Sequence, residues 1–147
     1  MLKITDGFKA DIDKMQADIM KKNQLANTQV RKAVETMTAG LESQVKQGMR
    51  DTEVNTSVSY GKKHHHPSVD GDYPAPDTGT LMRSVTHDVR SNGTQIIGEV
   101  GTTLEYGKYL EYGTSKMKPR PFLSLANIKL QSWFNEVWNK YMGDVTK

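Results

Sequence analysis

Three consecutive histidines, His64, His65 and His66, form the densest group of potential metal ligands in the chain. Imidazoles bind Zn²⁺ and Ni²⁺, but a structural site takes four ligands presented from separate supports. Neighbouring side chains on one short stretch diverge instead. The chain contains no cysteine and only one further histidine, His87. Asp70 and Asp72 stand close by, yet nothing in the sequence draws them to the triplet. The expectation is a solvated loop, with no metal and no other cofactor.

Other catalytic groupings are equally thin. No G-x-S-x-G, H-E-x-x-H or G-x-x-x-x-G-K-[ST] pattern occurs. Glu105 and Glu111 are six residues apart, which places them on different faces of a helix and argues against an acid–base pair. No enzyme is expected. The stretch "EYGKYLEYGTSKMKPRPFL", residues 105–123, stands out for another reason. It combines Tyr106, Tyr109 and Tyr112 with Lys108, Lys116, Lys118 and Arg120. Bases alternating with aromatics can follow single-stranded nucleic acid by charge and stacking. Tyrosine and arginine are also favoured anchors of protein interfaces. The plainest alternative packs the tyrosines on the subunit's own sheet and leaves the lysines in water.

The elements that would carry these groups follow from periodicity. From Ile4 to Met49 there is no proline. Phe8, Ile12, Met15, Ile19, Ala26, Val30, Ala33, Met37, Leu41 and Val45 recur mostly at helical spacing. One helix of that length would reach roughly 65 Å, far beyond the roughly 15 Å radius of gyration of a domain this size. Either it breaks, with "KKNQLANTQ" (21–29) the best candidate and Gly40 and Gly48 weaker ones, or it projects from its own domain. "TEVNTSVSYG" (52–61) alternates Val54, Thr56, Val58 and Tyr60 as a half-buried strand does. Residues 62–77 read as a long loop of the kind that is functional or disordered.

Asp77 and Thr78 are good N-caps for a short helix running through Leu81 to Ser84. Residues 85–102 predict a β-hairpin turned at Asn92-Gly93. Val85, His87 and Val89 alternate on one arm, and Ile96, Gly98 and Val100 on the other. Residues 105–112 suit a short helix closed by Gly113, and Pro119 and Pro121 stop regular structure. A last amphipathic helix spans 122–143, with Leu123, Ala126, Leu130, Trp133 or Phe134, Val137 and Tyr141 on its apolar face and Gly143 as its C-cap.

The sum is one α+β domain over residues 1–147: a helical region at about 4–49, a sheet and motif region at about 52–121, and a C-terminal helix at about 122–143. Hydrophobic residues make up 35% and charged residues 25%, with a mean hydropathy of -0.67. That is lean for core-building and suits a subunit that buries surface against neighbours. A net charge of +3 is too small to argue nucleic-acid binding by itself. No apolar run approaches the ~20 residues of a membrane helix, and the N-terminus lacks a signal-peptide h-region. Synthesis in a cytoplasm and a soluble product are expected.

Two segments together carry a family resemblance. "DTGTLMRSV" contributes Asp77, Thr78, Gly79, Leu81 and Ser84. "VGTTLEYGKYLEYGTSKMKPRPFL" contributes Val100, Gly101 and Thr102, then Tyr106, Tyr109, Glu111, Gly113 and Thr114, then Arg120, Pro121, Phe122 and Leu123. Their order and spacing, over about residues 70–130, resemble the head–tail joining (neck or tail-completion) proteins of long-tailed, lambda-like bacteriophages. The resemblance implies a non-enzymatic virion structural protein at the head–tail junction, made in the host bacterial cytoplasm. It further implies a homo-oligomeric ring, expected to be a hexamer, set between head-closure and tail-terminator neighbours. Genomic DNA would pass through the ring without sequence specificity.

Within that picture the motif residues either define the subunit's fold or touch a partner. The three tyrosines, three residues apart, would pack one face on the hairpin. Glu111 would accept the N–H groups of the Gly113-Thr114 turn, and Arg120, between two prolines, would stand stiff and exposed. A nucleic-acid-binding regulator is the alternative. It would need a coherent basic face, whereas Asp11, Asp13, Asp18, Glu35 and Glu42 are interleaved with the bases.

Overall fold

With no proline to interrupt it, the N-terminal region forms a single helix, α1, over Asp6–Asp51. Its 46 residues extend roughly 69 Å at ~1.5 Å per residue. The computed structural model of the chain describes residues 6–52, 68–93, 95–143 and 145. The strand expected over 52–61 and the triplet His64–His66 fall outside the described residues.

Of the two alternatives, a break at 21–29 or a projecting helix, the structure shows the continuous helix. A thinning apolar stripe removes packing, but it leaves the backbone hydrogen bonds of the helix intact, and Lys, Gln, Leu and Ala are good helix formers. Thr28 returns its hydroxyl to the Gln24 carbonyl at 2.9 Å, and Arg31 pairs with Glu35 one turn on at 2.9 Å. Gly40 and Gly48 are not breaks either. They are where aromatic rings lie against the helix backbone. A Cβ at Gly40 would fall 2.2 Å from the Trp133 ring, and one at Gly48 would fall 2.4 Å from the Tyr73 ring.

After α1 come a short helix α2 (Thr80–Ser84), strands β1 (Val85–Ser91) and β2 (Ile96–Thr102), helix α3 (Tyr106–Tyr112) and helix α4 (Leu123–Gly143). The strands form the expected antiparallel hairpin, with His87 opposite Val100 and Val89 opposite Gly98. That face lies on α1. A Cβ at Gly98 would collide with Thr38 and Val34, and His87 contacts the carboxylate of Glu42. The turn departs from a two-residue, doubly left-handed form: Asn92 has no positive φ, Gly93 has one of 90°, and the strands close with Ser91 opposite Ile96. Asn92 instead accepts the Gln95 N–H on Oδ1 at 2.9 Å.

Helix α4 runs antiparallel to α1. Lys129 lies over the Tyr73 ring beside Gly48, Trp133 meets Gly40, and the Tyr141 hydroxyl bonds Thr36 Oγ1 at 3.0 Å. Among the described residues, the core gathers Val45, Met49, Tyr73, Val85, Phe122 and Ala126. Leu41, Leu81, Met82, Val100 and Leu110 close around them.

Two local expectations are corrected. The N-cap position of helix α2 (Thr80–Ser84) is held by Gly79, left-handed at φ 71°, and not by Asp77 or Thr78. Thr78 stands one residue further out, and its Oγ1 accepts the Thr80 N–H at 3.4 Å. Gly143 ends α4 without a positive φ. The described part of the long loop is anchored at a few points. Ser68, Tyr73 and Pro74 are buried, and the Gly71 N–H donates to the Pro119 carbonyl at 3.0 Å.

Packing of Tyr73 against Gly48 generates a test. Alanine is intrinsically worth about 1 kcal/mol more than glycine in a helix interior. Here its methyl must displace a buried ring, at a cost of about 1–3 kcal/mol. Gly48→Ala is therefore expected to lower stability in urea unfolding. A more stable variant would mean that the ring does not press on the helix.

Candidate functional site

The residues singled out in the sequence converge at the junction of α2, α3 and the start of α4. Glu111 lies on α3 with its side chain buried at 7% exposure. Its Oε2 accepts the backbone N–H groups of Phe122 at 2.8 Å and Leu123 at 3.0 Å. Its Oε1 accepts the Ser124 N–H at 3.0 Å and the Ser124 hydroxyl. These are first-turn donors that a helix cannot satisfy internally, and the positive end of the helix dipole favours a carboxylate there. Glu111 thus caps α4 from a distant element. The sequence reading assigned it to the Gly113-Thr114 turn. That turn is instead closed by the Thr114 N–H on the Met117 carbonyl at 2.8 Å.

Burial by itself would raise the pKa of Glu111. The Ser124 hydroxyl and the backbone N–H groups of residues 122–124 outweigh it and hold the carboxyl below its ordinary value. Since both oxygens are already engaged by donors, this carboxylate is placed to hold two helices together rather than to move protons.

Around this clasp the backbone is tightly determined. Gly113 leaves α3 with φ 74°, a left-handed conformation suited to glycine. The Arg120 N–H donates to the Leu110 carbonyl at 2.7 Å. Phe122 follows directly and is fully buried in the core. Ser84 bonds the Leu81 carbonyl at 2.7 Å and the Thr102 hydroxyl at 2.6 Å, joining α2 to the end of β2. Gly107 is buried beside Thr102 and Phe122, where a Cβ would come 2.6 Å from the Thr102 methyl. Asp77, Thr78, Gly79 and Leu81 face Tyr106 and Arg120 across a cavity of about 290 Å³. The two halves of the motif therefore meet in space.

Two expectations fail here. Arg120 is not an exposed anchor. Its side chain is only 19% accessible, and its guanidinium lies 3.5 Å from Asp70, which also pairs with Lys118 at 3.4 Å. Asp70, on a stretch read as open loop, is what pairs with it. Nor do the tyrosines pack on the hairpin. Tyr106 and Tyr109 are about half exposed and Tyr112 is 81% exposed. The faces of α3 turned inward are those of Gly107 and Glu111, since a glycine permits close approach and the carboxylate must reach α4.

Ser124 and Tyr73 were missed as site and core residues. Ser124 is thirteen positions from its partner, with no local signal. Tyr73 is a lone aromatic in a proline- and aspartate-rich stretch, a weak sign of an anchored loop. Among the described residues, no group of three His, Asp or Glu is arranged to hold a metal ion. No helix among them is long and apolar enough to cross a membrane.

The long helix, the hairpin laid on it and the carboxylate clasp define a small α+β structural subunit. Residues 13–113 match the model of the HK97-gp10-like family, described as "Bacteriophage HK97-gp10, putative tail-component". The chain belongs to this family of bacteriophage tail components, which bears out the resemblance to phage head–tail joining proteins. The matched region takes in the α1 stripe, the "DTGTLMRSV" segment, the hairpin and α3, and it ends at Gly113, ahead of the basic proline segment and α4. No curated protein and no solved structure gives a significant match.

The clasp yields a second prediction. Glu111→Gln keeps one acceptor oxygen but turns an NH₂ group toward other donors. A loss of roughly 2–3 kcal/mol is expected, not the near-neutral change the turn assignment would give. Because the folded pKa is depressed, the stabilisation is fully present above the unfolded carboxyl pKa of ~4.3. It is lost as pH falls through the lower folded value. The wild-type protein should lose stability across that acidic window, and Glu111→Gln should show a shallower loss. Parallel profiles for the two proteins would remove Glu111 from the account.

Proposed function

We propose that this protein is a non-enzymatic structural component of the phage neck. It forms a homo-oligomeric ring, sixfold in symmetry, that joins the DNA-filled head to the tail and lets the genome pass. The observation that carries this reading is family membership, over 13–113, of a chain whose motif residues serve its own fold. The subunit leaves aromatic and aliphatic surface in water that a ring neighbour would cover: Tyr106, Tyr109 and Tyr112 on α3, and Ile128 and Trp138 on α4. Such contacts repeat head to tail, and they close into a ring when the rotation allows.

The partners in this reading are further copies of the chain and the adjoining head-closure and tail-terminator layers, with DNA contacted without regard to sequence. Charge placement supports a structural part over a nucleic-acid regulator. Arg90 is held between Asp88 and Glu99, Arg31 by Glu35, and Lys118 and Arg120 by Asp70. These bases do not form an open polyanion track.

The test is complementation of a phage lacking this gene. A Tyr109→Asp, Tyr112→Asp subunit should remain folded and soluble, because both positions are exposed. Free heads and free tails should then accumulate in electron micrographs. Normal yields of joined virions would remove the tyrosine face from the interface. A neck map with one copy, or with no rotational symmetry at this layer, would overturn the ring.

A further inference from the structure

Only the C-terminal part of the α1 stripe is used within the subunit. Ala33, Val45 and Met49 are fully covered by the hairpin and α4. The same stripe continues outward through Ala26, Ile19, Met15 and Ile12 at helical spacing; Ala26 and Ile12 are partly covered, and every residue from 13 to 25 is exposed. There Met15 is 63% and Ile19 53% exposed, with Met20 and Leu25 exposed on the flanks. Apolar residues repeated along one face of a projecting helix need a partner of matching shape. A second helix with the same spacing supplies one.

Charge along the helix selects the orientation. Residues 6–18 carry Asp6, Asp11, Asp13 and Asp18 against Lys9 and Lys14. Residues 19–34 carry Lys21, Lys22, Arg31 and Lys32 and no acid. Side by side in parallel, two copies would set acid against acid and base against base. Reversed, the acidic end of each lies along the basic shank of the other, and the helix dipoles oppose favourably.

We propose that the exposed arm of α1, residues 12–26, pairs antiparallel with the same arm of a second copy. Met15 then sits level with Ala26 of the other copy, and Asp18 lies within reach of Lys21 and Lys22. Ile19 packs on the aliphatic stem of Lys22. The contact is twofold and closes on itself, so it cannot repeat around a ring. It is a property of the free protein, independent of the ring reading, and the arms part when subunits join a neck. Until then the pairing keeps the apolar arm out of water.

The chain has no cysteine, so an introduced thiol is the sole one. Two single variants, Met15→Cys and Ala26→Cys, carrying different affinity tags, are mixed and oxidised. The expected product is the heterotypic 15–26 disulfide, well in excess of either homotypic one. Unmodified protein at about 100 μM, a concentration suited to a small interface, should sediment as two copies. Ile19→Asp should sediment as one with an unchanged helical signal, since Ile19 is exposed. Predominance of 15–15 and 26–26 products would mean parallel pairing and overturn the proposal. So would a monomeric wild type, or an Ile19→Asp protein that still pairs. Because these readouts use isolated protein, they stand or fall separately from complementation of the phage.

Discussion

The fold turns on a carboxylate that belongs to one helix and completes another. Without Glu111, the N-terminus of α4 would present buried N–H groups at Phe122, Leu123 and Ser124 beside the core, with no partner in their own helix. That position is fixed in turn by Gly107, which lets α3 approach Thr102 and Phe122, and by Gly113, which redirects the chain toward Arg120. Phe122 then drops into the cluster of Val45, Met49, Tyr73, Val85 and Ala126. A short helix of seven residues, too short to be stable alone, thereby sets where the 21-residue α4 begins and how it lies along α1.

This arrangement separates two kinds of residue that the sequence interleaves. Glycines, the glutamate and Phe122 build the subunit, whereas the tyrosines between them look outward. Alternation of small or capping residues with aromatics along α3 gives it one structural and one presenting face. The same division runs lengthwise through α1, whose C-terminal part is core and whose N-terminal part is arm. A lean hydrophobic content of 35% accords with the proposed ring, in which that apolar surface would face neighbours.

Much of the fold was legible because its signals are local. The hairpin followed from alternation on either side of Asn92-Gly93, although its register, Ser91 opposite Ile96, did not, and the limits of α3 and α4 followed from Gly113 and the two prolines. The family followed from the order of "DTGTLMRSV" and the tyrosine-rich stretch. Signals over longer separations were not legible. Whether helix α1 breaks or projects stayed open because its stripe thins, and the helix persists there because intrinsic propensity suffices. Glu111 was assigned to its nearest turn because Ser124 lies thirteen residues away. Arg120 was expected in water because nothing local shows that Asp70 and the 68–74 segment lie against it. The tyrosines were placed on the hairpin because a three-residue spacing identifies a shared face without saying which way it points.

The central claim is that Glu111 acts as an internal clasp between α3 and the start of α4. Native-state amide hydrogen exchange at Phe122, Leu123 and Ser124 tests it most directly. Near neutral pH these amides, although they stand at a helix start, should exchange only with global unfolding, in step with the amides of Val45 and Val85. Exchange as fast as that of an exposed turn amide such as Lys116 would contradict the clasp.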